Sequence, residues 1–104
     1  MEILNQKSRY VGQLERCCRT LHYIQKHIHS YRYEPSTKSL FETKAYLTGK
    51  IGDLVVANES LLTYLKKHNA VLPEQFHRIQ SIITETFHLT LAVTEYGDKI
   101  RQWA

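Results

Sequence analysis

Apolar residues recur along this chain at alternating steps of three and four. In the first third, Tyr10, Leu14, Cys17, Leu21, Ile24, Ile28 and Tyr31 keep that rhythm, with Ile3 ahead of them, Lys7 interrupting, and Leu4, Val11 and Cys18 widening the stripe. The middle third has Leu40, Leu47, Ile51, Leu54, Leu61 and Leu65, flanked by Phe41, Val55 and Leu62. In the last third, Ile79, Ile82, Leu89, Val93, Tyr96, Ile100 and Trp103 form one line, and Phe76, Ile83, Phe87 and Leu91 a second, offset from it. A 3.6-residue turn returns such positions to one face, so each third predicts an amphipathic helix. The a/d-like spacing predicts packing at shallow angles.

The punctuation agrees. Pro35 and Pro73, the chain's two prolines, fall where the periodic stretches give way to polar residues, and a helix interior tolerates neither the missing N–H nor the ring. Ser39 followed by Glu42 has the form of a capping box ahead of the middle helix. Pro73 suits a first helical position, with Glu74 and Gln75 in the turn where negative charge complements the dipole. Segments of about 30 residues would be about 45 Å long. The expectation is an all-α fold, a single domain over residues 1–104 built as an antiparallel, up-down-up bundle of three long helices.

Three features modify that picture. Gly49 and Gly52 lie inside the middle segment, where each costs about 1 kcal/mol against alanine. They either kink the helix, break it with Asp53 capping a fourth segment, or let a neighbouring backbone come close; a continuous or merely kinked helix is preferred. Asn58 stands in the apolar stripe between Leu54 and Leu61, either as a register-fixing polar residue or as a lapse in the pattern. The third helix carries Phe87, Leu89, Leu91, Ala92 and Val93 on too many sides for two neighbours. A helix apolar nearly all round needs partners all round, so this surplus predicts either a fourth helix from a broken middle segment or a second chain, with a partner chain, as in a dimer of long hairpins, the favoured form.

Composition narrows the class. The 104 residues are 42% apolar and 23% charged, which is globular rather than disordered. Cys17 and Cys18 are adjacent, which excludes a disulfide-stapled mini-protein and suggests a reducing compartment. No apolar run reaches the roughly 20 residues that span a bilayer, and the N-terminus lacks a signal-peptide layout. An intracellular protein, cytoplasmic or nuclear, is expected.

The candidate chemistry is sparse. His22, His27 and His29 crowd the end of the first helix, and Cys18 lies one turn before His22 on the same face. The HxxxH and CxxC spacings that usually mark transition-metal sites do not occur, so neither a metal site nor a cofactor is expected. There is no GxSxG, and the glycines lie in helical segments rather than at a phosphate-cradling turn. A packed bundle also offers little concave volume for a small molecule. A non-enzymatic protein is expected.

Charge says more. The formal net charge is +4; residues 1–34 hold six Lys/Arg against three acids, whereas residues 73–104 hold three against four. Arg9, Arg16, Arg19 and Lys26 lie near one face of the first helix with Tyr23 among them. A cationic stripe with an aromatic platform suits single-stranded nucleic acid, through counterion release and base stacking. It equally suits an acidic protein partner. Tyr31 and Tyr33 flank Arg32 where the first helix ends, either as interface anchors or as a lid on the core.

The run Leu40-Phe41-Glu42-Thr43-Lys44-Ala45, followed by a long helix, Leu72-Pro73 and another helix, resembles the N-terminal helical domain of the bacterial primosomal replication protein PriC family. That resemblance implies a role in reloading the replicative helicase at stalled forks, in contact with single-stranded DNA and its binding protein. Much of that role is attributed to a C-terminal part that this sequence does not contain, and Gly49 and Gly52 depart from the family pattern. Leu72-Pro73, then Phe76-His77-Arg78, and the closing Gln102-Trp103 resemble a helical subunit of augmin, the microtubule-branching complex. No functional residue is carried over from either.

The expected function is therefore a protein–protein interaction or assembly module, an adaptor, regulator or complex subunit. Phe87, Leu89, Leu91, Trp103, Tyr31 and Tyr33 are its candidate contacts, and Arg9, Arg16, Arg19, Tyr23 and Lys26 a basic face for an acidic partner. The alternative is a DNA-replication accessory protein that binds single-stranded nucleic acid, or its binding protein, through that same basic face.

Overall fold

The computed structural model describes residues 2–68, 71 and 73–103, without the side chains of residues 2–6, Tyr31 and Trp103. The side chains of the predicted contacts Tyr31 and Trp103 and of the stripe positions Ile3 and Leu4, and residues 69, 70 and 72 ahead of Pro73, therefore lie outside the described residues. The chain forms α1 (Glu2–Ile28), a 3₁₀ turn (Tyr31–Tyr33), α2 (Lys38–Lys67) and α3 (Pro73–Trp103). Each helix packs against both others, as an all-α three-helix bundle requires. The Cα radius of gyration, 16.2 Å, exceeds the roughly 13 Å of a compact chain this long. The bundle is a rod, 54 × 17 × 16 Å along its principal axes.

Side-chain contacts give the directions. Tyr10 on α1 meets Phe76 on α3 edge-on at 5.0 Å, near the start of both helices. Asn58 on α2 reaches Leu14 on α1, and Glu34, just past α1, reaches Lys44 on α2. The higher α1 number thus meets the lower α2 number, so α1 and α2 run antiparallel while α1 and α3 run together.

The core is the predicted stripe. Leu14, Leu21, Ile24 and Ile28 from α1, Leu47, Ile51, Leu54 and Leu65 from α2, and Ile79, Ile82, Val93 and Tyr96 from α3 are all buried. Burial of a large apolar side chain stabilises by about 1.5–3 kcal/mol, so this seam dominates whatever the polar faces add.

One local expectation needs correction and another is met. The α2 N-cap is Thr37, not Ser39: its Oγ1 accepts from the Leu40 amide at 3.1 Å, and its carbonyl takes the first helical bond, from the Phe41 amide. Ser39 lies inside the first turn, where its carbonyl accepts from the Thr43 hydroxyl. Gly49 and Gly52 lie inside a continuous α2, the preferred of the sequence readings, and among the described residues no neighbour comes within 4 Å of a Cβ built at either one. Breaking the helix there would strand amide and carbonyl groups on both sides of the gap and unseat Leu47, Ile51 and Leu54. That exceeds the glycine penalty.

The close approach occurs at Gly97 instead. A Cβ there would lie 2.9 Å from the Tyr33 ring. Tyr33 leans over α3 at that point, and its carbonyl accepts from the Tyr96 hydroxyl at 2.7 Å.

Candidate functional site

Each helix has an outward face, and the three faces differ in chemistry. On α3, Phe87 and Leu91 stand one turn apart, 62% and 48% exposed. They lie opposite the buried line Ile82, Thr86, Val93 and Ile100, with the exposed Gln80, Thr84, Glu95 and Asp98 around them. The surplus is smaller than the periodicity predicts. Leu89, Ile83 and Ala92 are half-buried and pack against the core, because positions at the edges of a helix interface still lean into the grooves beside its neighbours. The predicted contact Leu89 is thereby partly used inside its own chain. Thr86, Thr90 and Thr94 turn their hydroxyls back to the carbonyls four residues earlier, which satisfies these polar groups within α3.

On α1, Arg9, Arg16, Arg19, Tyr23 and Lys26 are all exposed, and Tyr23 is 64% so. Its ring meets that of His27 edge-on at 4.3 Å. Among the described residues, none of the four cations forms an ion pair with an acid. The basic stripe thus runs nearly five turns of helix without an ion-pair partner among the described residues. Next to it, burial pushes the Cys17 thiol up, against the opposing pull of a hydrogen bond to Thr86 and of the Arg16 charge.

Tyr33 is not presented outward. It is half-buried over Gly97, with the rings of His27 and Tyr96 each 6.0 Å from its own. Of the two sequence readings, the lid on the core describes it. Tyr96 beneath it is buried, and burial, with the nearby Glu34 charge, pushes its phenol up.

Some surface features were not legible as such. Phe41, Tyr46 and Val56 on α2 are exposed, although Phe41 flanks the apolar stripe. A hollow of about 470 Å³ lies beside Phe41, bounded by Pro35, Lys44 and Gly49. A larger open groove, about 740 Å³, runs between α2 and α3 over Leu54, Leu61 and Ile82, with Glu74, Arg78 and Glu85 on its rim.

Cys18 and His22 on α1 meet Glu59 of α2, with Sγ, an imidazole nitrogen and a carboxylate oxygen all within 4.8 Å of one another. His22 Nε2 and Glu59 Oε1 are 3.7 Å apart. The sequence offered two of these three donors, through the i, i+4 spacing of Cys18 and His22; Glu59 arrives only through tertiary packing.

No protein-family model matches this chain, no curated protein is recognisably similar to it, and no solved structure matches it. Among the described residues no helix is long and apolar enough to cross a membrane.

Proposed function

We propose that this chain is a non-enzymatic protein–protein interaction or assembly module that self-associates through the outer face of α3. The observation that carries this reading is the pair Phe87 and Leu91, one turn apart on one helix and both exposed. An exposed aromatic–aliphatic pair one turn apart is how a helix anchors in a partner's groove. The basic α1 face steers an acidic partner, speeding encounter more than it adds affinity. Both faces belong to helices whose other sides are locked into the core, so the contact surface is rigid before binding.

Sedimentation equilibrium over a wide concentration range tests this. A dimer or larger species is expected, and Leu91→Glu is expected to return it to a monomer while circular dichroism stays unchanged. A wild-type monomer at the highest concentration, together with no effect of Leu91→Glu on capture of any partner, would sink the reading.

The unpaired basic stripe on α1 favours a second reading, a nucleic-acid accessory role. It predicts salt-sensitive binding of a single-stranded oligonucleotide, weakened when Arg9, Arg16 and Arg19 are neutralised together. Absence of binding at low salt ends that alternative.

A further inference from the structure

We infer that Cys18, His22 and Glu59 form a binding site for a divalent transition-metal ion of the zinc type. The three donors are the types that Zn²⁺ prefers, a thiolate, an imidazole and a carboxylate. They come from two helices, so no accident of local sequence holds them together.

Their spacing is close to what a metal needs. Around a tetrahedral Zn²⁺, with metal–ligand bonds of about 2.0–2.3 Å, the donor atoms lie about 3.4–3.6 Å apart. His22 Nε2 and Glu59 Oε1 are already 3.7 Å apart, and no donor pair exceeds 4.8 Å. His22 and Glu59 are exposed and Cys18 is half-buried, so the remaining adjustment of roughly an ångström is within side-chain rotation. The outward position leaves the fourth coordination site to water.

The scaffold is fixed independently of any metal. Asn58, the residue before Glu59, is fully buried and its Nδ2 donates to the Leu14 carbonyl at 3.1 Å. Leu14 is one turn before Cys18. This bond sets the register of α2 against α1 and holds Glu59 opposite the Cys18–His22 pair. Neighbouring Cys17 points into the core and contributes no ligand. An ion held here would join α1 to α2 on the surface, and because the unfolded chain lacks the arrangement, binding would stabilise the bundle.

Cobalt(II) titration of the full, reduced chain tests the site, since Co²⁺ reports its ligands by colour. The expected result is saturation at one ion per chain, with a sulfur-to-cobalt charge-transfer band and tetrahedral d–d bands that zinc bleaches. Cys18→Ser is expected to abolish the charge-transfer band. His22→Ala and Glu59→Gln are each expected to weaken binding by ~10-fold or more, as loss of a ligand should cost at least as much as loss of a supporting contact. All three positions are outside the core, and circular dichroism verifies the fold of each variant. Failure of the wild type to saturate would overturn the inference. So would a charge-transfer band that survives Cys18→Ser, or a metal-dependent doubling of mass by light scattering, which would place the ion between chains. Leu91→Glu, which tests self-association, leaves this site intact, so the two readings fail separately.

Discussion

Two polar joins hold this bundle in register, and they are built on opposite principles. Midway along the rod, Asn58 clips α2 to α1 by one bond to the Leu14 carbonyl, while its buried Oδ1 has no protein partner among the described residues. At one end, the Tyr96 hydroxyl donates to the Tyr33 carbonyl, and Tyr33 lies in the space that Gly97 leaves open. The clip is polar, half-satisfied and set in the buried stripe between Leu54 and Leu61; the cap is aromatic, hydrogen-bonded and large. A buried acceptor without a partner costs about 1–3 kcal/mol. The clip thus spends stability to select one register, whereas the cap adds stability where the chain reverses.

The cap gives the largest expected effect. Tyr96→Ala should destabilise the bundle by about 3–5 kcal/mol in urea unfolding, the range for deleting a fully buried aromatic ring. Tyr96→Phe, which removes only the bond to Tyr33, should cost about 0.5–1.5 kcal/mol. Equal losses in the two variants would mean that the hydroxyl, and not the ring, carries the cap.

The clip should respond in the other direction. Asn58→Leu removes the unpaired Oδ1 and should raise stability by about 1 kcal/mol, at the cost of register. Doubled amide resonances or a changed oligomer mass would show the lost specificity. A destabilised but single-state variant would show that Asn58 holds the helices together rather than aligning them.

The smallest effect separates the two joins by pH. Tyr96 is pushed above its ordinary 10.0 and Cys17 above 9.0, in both cases mainly by burial. A group whose folded pKa is raised contributes its stability fully below the unfolded value and loses it as pH climbs through the folded one. Thermal stability should therefore be level below pH 9 as far as these two groups are concerned, and decline above it. In Tyr96→Phe the decline should begin with the thiol alone. An Asn58→Leu variant should keep the wild-type alkaline profile, because the amide does not titrate.

The three helices were legible because a periodic seam is a local property. Leu47, Ile51 and Leu54 are each buried by the turn geometry of α2, whichever helices come to cover them. Asn58 was visible as an intruder in that seam, but its partner Leu14 was not, since 44 residues separate them. The same gap hid Glu59 from Cys18 and His22, and left the site with only two of its three donors in view. The third helix is less greasy than its pattern suggests: periodicity counts Leu89, Ala92 and Val93 as surplus, yet Val93 is core and the grooves beside two neighbours absorb Leu89 and Ala92, which leaves Phe87 and Leu91 outside.

By itself the sequence determined the helices, their approximate ends and the face each one buries, because these follow from 3.6-residue periodicity and from what proline forbids. Tertiary structure alone decided which glycine is needed for space, which polar residue meets which carbonyl, and which donors gather around one point. Those outcomes depend on the axial offset between helices. That offset is set by contacts between residues far apart in the chain, which no local pattern encodes.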